Sequence, residues 1–180
     1  MKSSPKTKKI AVGAMLIAFC ILLPQIFHFT GIPQAGAVFL PMHIPVLLAG
    51  FFIGPLYGAI IGIISPVLSC AITNMPDMAR LPFMAGELFA YGLVSGLMYH
   101  KLNFKSRKFG EIITLLCSML AGRLFYAVML IAASELLNIE CGGVMAAVSA
   151  TVTGIYGIIL QITVIPIIVY AVKKGGFIIE

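Results

Sequence analysis

Charge is what this 180-residue chain has least of. Asp, Glu, Lys and Arg make up 10% of it, against about a quarter of an ordinary soluble domain. Hydrophobic residues make up 61%, and mean hydropathy is +1.09. That balance excludes a water-soluble globular protein, a disordered chain and a nucleic-acid-binding module. The familiar catalytic signatures are missing too. Without G-x-x-x-x-G-K-[ST] the chain does not hydrolyse ATP through a P-loop, and it contains neither H-E-x-x-H nor G-x-S-x-G. The four cysteines, Cys20, Cys70, Cys117 and Cys141, form no C-x-x-C and have no paired His nearby. They therefore read as neither a zinc site nor a disulfide framework. Only six residues are acidic. A proton- or sodium-driven carrier normally has more intramembrane polar groups and an inverted repeat. No such repeat is visible, so the chain reads as a binding subunit that needs an external motor.

What the chain has is long apolar runs. A helix needs roughly 20 residues to cross a 30 Å hydrocarbon core. The pattern predicts an all-α membrane protein, a compact bundle of six transmembrane helices in one domain over 1–180. The helices are placed at about 9–28, 42–53, 56–72, 82–100, 111–137 and 144–172, with Ser65-Pro66 interrupting the third. The formal charge is +6, and position matters more than sum. Ten of the twelve cations fall at the N-terminus, in 101–108 and at 173–174. Lys and Arg collect in cytoplasmic loops, so both termini are expected inside. The basic start followed by an apolar run resembles a signal peptide. However, the run from Ile10 to Phe29 is longer than a usual signal core, and the cleavage-like Ala35-Gly36-Ala37 lies far beyond it.

Small residues recur at helix-packing spacing: Gly58 and Gly62, Gly92 and Gly96, Ser118 and Gly122, Ala150 and Gly154. In the first helix Ala11, Ala14 and Ala18 share one smooth face. That face either packs internally or docks a partner helix.

Two ionisable residues sit well inside helices, Glu87 and Arg123, and an intramembrane charge is a functional candidate by default. Measured from the outer helix ends, Glu87 lies roughly 7 Å deep and Arg123 roughly 20 Å. They form either a structural ion pair or part of a solute pocket. Tyr91 lies one turn below Glu87. Tyr126 shares a face with Arg123, and Tyr156 falls near the same depth. These rings suit the aromatic walls of a small-solute pocket. His43, just before Pro45, is placed near the outer surface, touching either a solute or loop backbone. The loop from Asn74 to Arg80 reads as a lid, with Asp77 and Arg80 as an alternative solvated pair. Tyr99 fits an interfacial belt.

The ordered pieces Leu40-Pro41-Met42-His43-Ile44-Pro45, Gly54-Pro55-x-x-Gly58-x-x-x-Gly62, Ser65-Pro66, Thr73-Asn74-Met75-Pro76 and Glu87-Leu88-x-Ala90-Tyr91-Gly92 resemble the substrate-binding S components of energy-coupling factor (ECF) vitamin transporters. The resemblance implies a multi-pass subunit of the cytoplasmic membrane. Such a subunit binds one water-soluble vitamin or related micronutrient from outside, under two outer loops. It also implies partners, a transmembrane T component and two ATPases that hydrolyse the ATP, so the chain itself needs no cofactor and no nucleic acid. Docking in that family uses an A-x-x-x-A pattern on helix one, which Ala14 and Ala18 match. Many binders of flat rings stack on Trp, and this chain has none. Arg123 suits a carboxylate or phosphate on the solute. Two competitors remain at this stage. One is a membrane scaffold using the alanine face alone. The other is an intramembrane enzyme using Glu87 with His43 or Tyr91.

Overall fold

A computed structural model describes residues 4–29, 31, 34–136 and 143–175. Of the readings above, the first residues of the basic N-terminus, Leu137 at the end of the helix over 111–137, and Cys141 lie outside the described residues. Among the described residues the regular structure is entirely helical. The helices are α1 (Pro5–Phe29), α2 (Ala35–Phe39), α3 (His43–Ile53), α4 (Pro55–Thr73), α5 (Leu81–Gly96), α6 (Gly110–Leu136), α7 (Gly143–Thr153) and α8 (Ile155–Lys174). A π-helical turn, Leu97–Lys101, extends α5. Among the described residues six segments are long and apolar enough to cross a membrane, and they form a six-helix bundle. Helices are what such a sequence must form, because hydrocarbon offers backbone N–H and C=O groups no partner except each other.

Two helices differ from the sequence reading. The stretch assigned to one helix over 144–172 is broken at Gly154 into α7 and α8. Twenty-nine residues would run about 44 Å as a single helix, well beyond the core thickness; α8 alone provides the span. The helix over 42–53 is too short to cross by itself, at about 18 Å. Its span begins earlier, because the stretch read as loop contains α2, and Ala35–Ile53 crosses as a bent pair. The bend is at Leu40, in the left-handed conformation at φ 49°, followed by Pro41. Ser65-Pro66, in turn, does not interrupt α4, which runs through it.

The α2–α3 span is the centre of the bundle. It is 72% buried, against 17–39% for the other five spans. All eleven residues of α3 are buried. Around it, α4 packs on α5, and α5 on α6. Glycines set the closeness of the first contact. A Cβ at Gly92 would strike the Gly58 carbonyl, and one at Gly62 would strike the backbone of Leu88. The Gly58/Gly62 and Gly92/Gly96 pairs read from the sequence therefore pack within the bundle. Close backbone approach substitutes here for the hydrophobic effect, which cannot drive association in lipid.

The basic clusters meet at one end. Lys173 Nζ donates to the Lys105 carbonyl and to Glu111 Oε1, both at 2.8 Å. Lys9 and Lys101 line one cleft at that same end. The alanine face of α1 points away from the bundle: Ala11, Ala14 and Ala18 are exposed, while Gly13, Leu16 and Cys20 turn inward.

Candidate functional site

The bundle buries a polar group halfway between its centre and its far end. Glu87 on α5 is 4% exposed, and Arg123 on α6 brings Nη1 to 3.0 Å from Glu87 Oε1. Depths counted from helix ends put these residues about 13 Å apart. The helix register removes most of that gap. A Cβ at Gly86 would meet Met129, and Gly122 lies against the Tyr91 ring. Glu87 is thus level with residue 126, one turn from Arg123, because α6 extends well past the start of α5.

His43, expected near the outer surface, is 1% exposed at the start of α3. Its Nε2 lies 3.7 Å from Glu87 Oε1, beyond hydrogen-bond range. Its ring meets Tyr91 edge-on, centroids 5.2 Å apart. Tyr91 is 1% exposed, and its hydroxyl is within reach of the Glu87 carboxylate. His43, Glu87, Tyr91 and Arg123 therefore form one cluster. The other sequence candidates do not all join it. Tyr126 is half-buried, one turn along α6 from Arg123, whereas Tyr156 is 65% exposed and faces away from the bundle. Asn74 and Arg80 are exposed, capping the end of α4 and the start of α5. Arg80 and Asp77 are joined through backbone, Arg80 N–H donating to the Asp77 carbonyl.

Both helix breaks abut this cluster. A Cβ at Gly154 would lie 2.8 Å from Arg123 Nη2 and 2.9 Å from Leu40 Cδ1. A Cβ at Gly157 would lie 2.7 Å from the Phe39 carbonyl. The α7–α8 break thus rests on the α2–α3 bend, with the guanidinium packed against it. Irregular backbone at membrane depth is tolerated where it is buried in protein or lines a cavity.

One residue was missed from the sequence. Gln161 on α8 is 1% exposed, on the same face as Gly154 and Gly157. α3 and α8 run in the same direction towards the basic end. With Gly157 against Leu40, Gln161 stands level with the first turn of α3, where His43 is. A lone neutral amide inside the apolar run 155–172 was the available signal.

The group is electrostatically incomplete. Both ring nitrogens of His43, Glu87 Oε1, Nε and Nη2 of Arg123, and both amide atoms of Gln161 are buried without a hydrogen-bond partner. The Glu87–Arg123 contact is Coulombic, not a directed hydrogen bond. Leaving a buried polar group unpaired costs about 1–3 kcal/mol, and more for charged groups. The set holds donors and acceptors of both signs.

Residues 8–169, most of the chain, match the family model of the ECF transporter, substrate-specific component. No curated protein and no solved structure matches the chain. Six apolar spans and a match of that length lead to one conclusion: the chain belongs to the substrate-specific components of ECF transporters, multi-pass subunits of the cell membrane.

Proposed function

We propose that this chain captures one water-soluble vitamin or related micronutrient from outside the cell, and that a T component and two ATPases drive its uptake. The observation that carries the reading is the buried polar set of His43, Glu87, Arg123 and Gln161, which holds donors and acceptors without hydrogen-bond partners close to two helix breaks. A solute that fits it has an acceptor, a carboxylate, phosphate or carbonyl, for Arg123. It also has a donor for Glu87, and a flat or apolar portion against Tyr91. The loop 74–80, exposed at the mouth of α4 and α5, serves as a lid. The basic end faces the cytoplasm. The exposed strip of Ala11, Ala14 and Ala18 docks the T component, since small side chains permit close helix approach in lipid.

Thermal unfolding of the purified protein, against a panel of water-soluble vitamins and their precursors, tests the reading. A solute at a thousandfold excess over its dissociation constant adds about 4 kcal/mol of stability. One compound is expected to raise the unfolding temperature by several degrees. A panel without any shift would count against a vitamin as the solute.

A further inference from the structure

At the basic end, about 20 Å along α5 from Glu87, the bundle has a cleft of about 460 Å³. It opens between the start of α1, the α3–α4 turn and the π-helical end of α5. The volume lies within the range of pockets that hold small organic groups, about 300–1,000 Å³. Two of its walls are cationic, Lys9 and Lys101, and among the described residues no acidic side chain lines it.

A third positive element is backbone. Gly54, at φ 96° and ψ 176°, turns the chain into α4, a conformation an L side chain rarely adopts. Pro55 has no N–H, and the first helical hydrogen bond runs from Gly58 N–H to the Gly54 carbonyl. The amides of Leu56 and Tyr57 therefore precede that bond, and no side chain caps them. They stand at the positive end of a 19-residue helix. His100 completes the wall: its Nε2–H donates to the Phe51 carbonyl at 2.9 Å, which holds the ring in place.

The cleft is also greasy on one side. Leu56, in its wall, is 67% exposed, and Ile10, next to Lys9, is 62% exposed. A soluble anion has no use for such surface. An amphiphile does, and basic pockets between helices at the membrane boundary are suited to acidic head groups.

We propose that this cleft binds the phosphate head group of an acidic phospholipid, with Lys9, Lys101 and the free amides of α4 on the phosphate and an acyl chain along Leu56 and Ile10. A zwitterionic lipid offers the same phosphate but carries its own cation, which the lysines repel. The bound lipid ties α1, α4 and α5 together at the end where the basic clusters meet.

The test is native mass spectrometry of the full chain in detergent, titrated with phosphatidylglycerol or with phosphatidylcholine of identical acyl chains. Glycerol 3-phosphate serves as the head-only arm. One phosphatidylglycerol adduct is expected at least tenfold more readily than phosphatidylcholine. Lys9→Gln/Lys101→Gln should weaken it about 30-fold. Lys6→Gln/Lys8→Gln, which removes equal charge from exposed positions outside the cleft, should leave it unchanged. Equal binding of the two lipids, or equal loss in both double variants, overturns the site. Glycerol 3-phosphate binding as tightly as the lipid overturns the lipid as its occupant.

Discussion

Arg123 shows how far a single side chain can be followed from sequence to site. Its position inside an apolar helix marked it at once, and so did that of Glu87. Their meeting was not legible, because depth was counted from helix ends assumed to be level. The glycine contacts of α5 with α6 set the true register. His43 was expected near the outer surface because it stands at the start of its helix; that helix is the most buried of the bundle, and His43 is enclosed with it. Tyr99 was assigned to an interfacial belt but is fully buried, edge-on to Phe51 at 4.9 Å. Gln161 escaped because it is neutral, although a buried amide without partners is costly in the same way. The ion pair makes a prediction at this scale. Removing one partner strands the other, so Arg123→Gln should cost about 3–5 kcal/mol of stability, and Glu87→Gln a similar amount. The double variant, with no buried charge left, should recover most of that loss. Chemical unfolding of the three variants measures it, and simple additivity of the two losses would show that the residues do not act as a pair.

At the scale of elements, spacing in the sequence correctly located the small-residue contact of α4 with α5 and the count of six spans. It failed at the breaks. A continuous apolar pattern does not reveal where a helix bends, since apolar side chains suit helix and bend alike in lipid. Length did hold the signal, because one segment was too long for the core and another too short. The α4–α5 crossing gives the sharper test. Gly92→Ala forces a methyl into the Gly58 carbonyl and should cost about 1–3 kcal/mol. Gly13→Ala meets only Ile61 and Ile53 side-chain ends at 3.4 and 3.5 Å and should cost far less. Equal losses in an unfolding titration would refute the close crossing. On α1, Ala14→Trp should leave solute affinity of the isolated subunit intact while abolishing ATP-driven uptake in the assembled transporter. Normal uptake in proteoliposomes would remove the alanine strip from docking.

For the whole molecule, the proposed orientation of the bundle rests on its charge distribution. Lys9, Lys101, Lys105 and Lys173 gather at one end, and the loop with Asp77 lies at the other. In a background without native cysteines, Asp77→Cys should react with a membrane-impermeant maleimide in intact cells. Arg107→Cys should react only after permeabilisation. The reverse pattern would invert the proposed topology.

His43, Glu87, Arg123 and Gln161 are proposed to form one solute-binding set. Isothermal titration of the solute found by thermal screening, into the native protein, Gln161→Leu and the Glu87→Gln/Arg123→Gln double variant, tests it most directly. The Leu replacement removes two unpartnered polar atoms, so folding should persist while affinity falls about tenfold or more. The double variant should bind at least about 100-fold more weakly. Native-like affinity in both folded variants would contradict the account and leave the buried polar set without a role in capture.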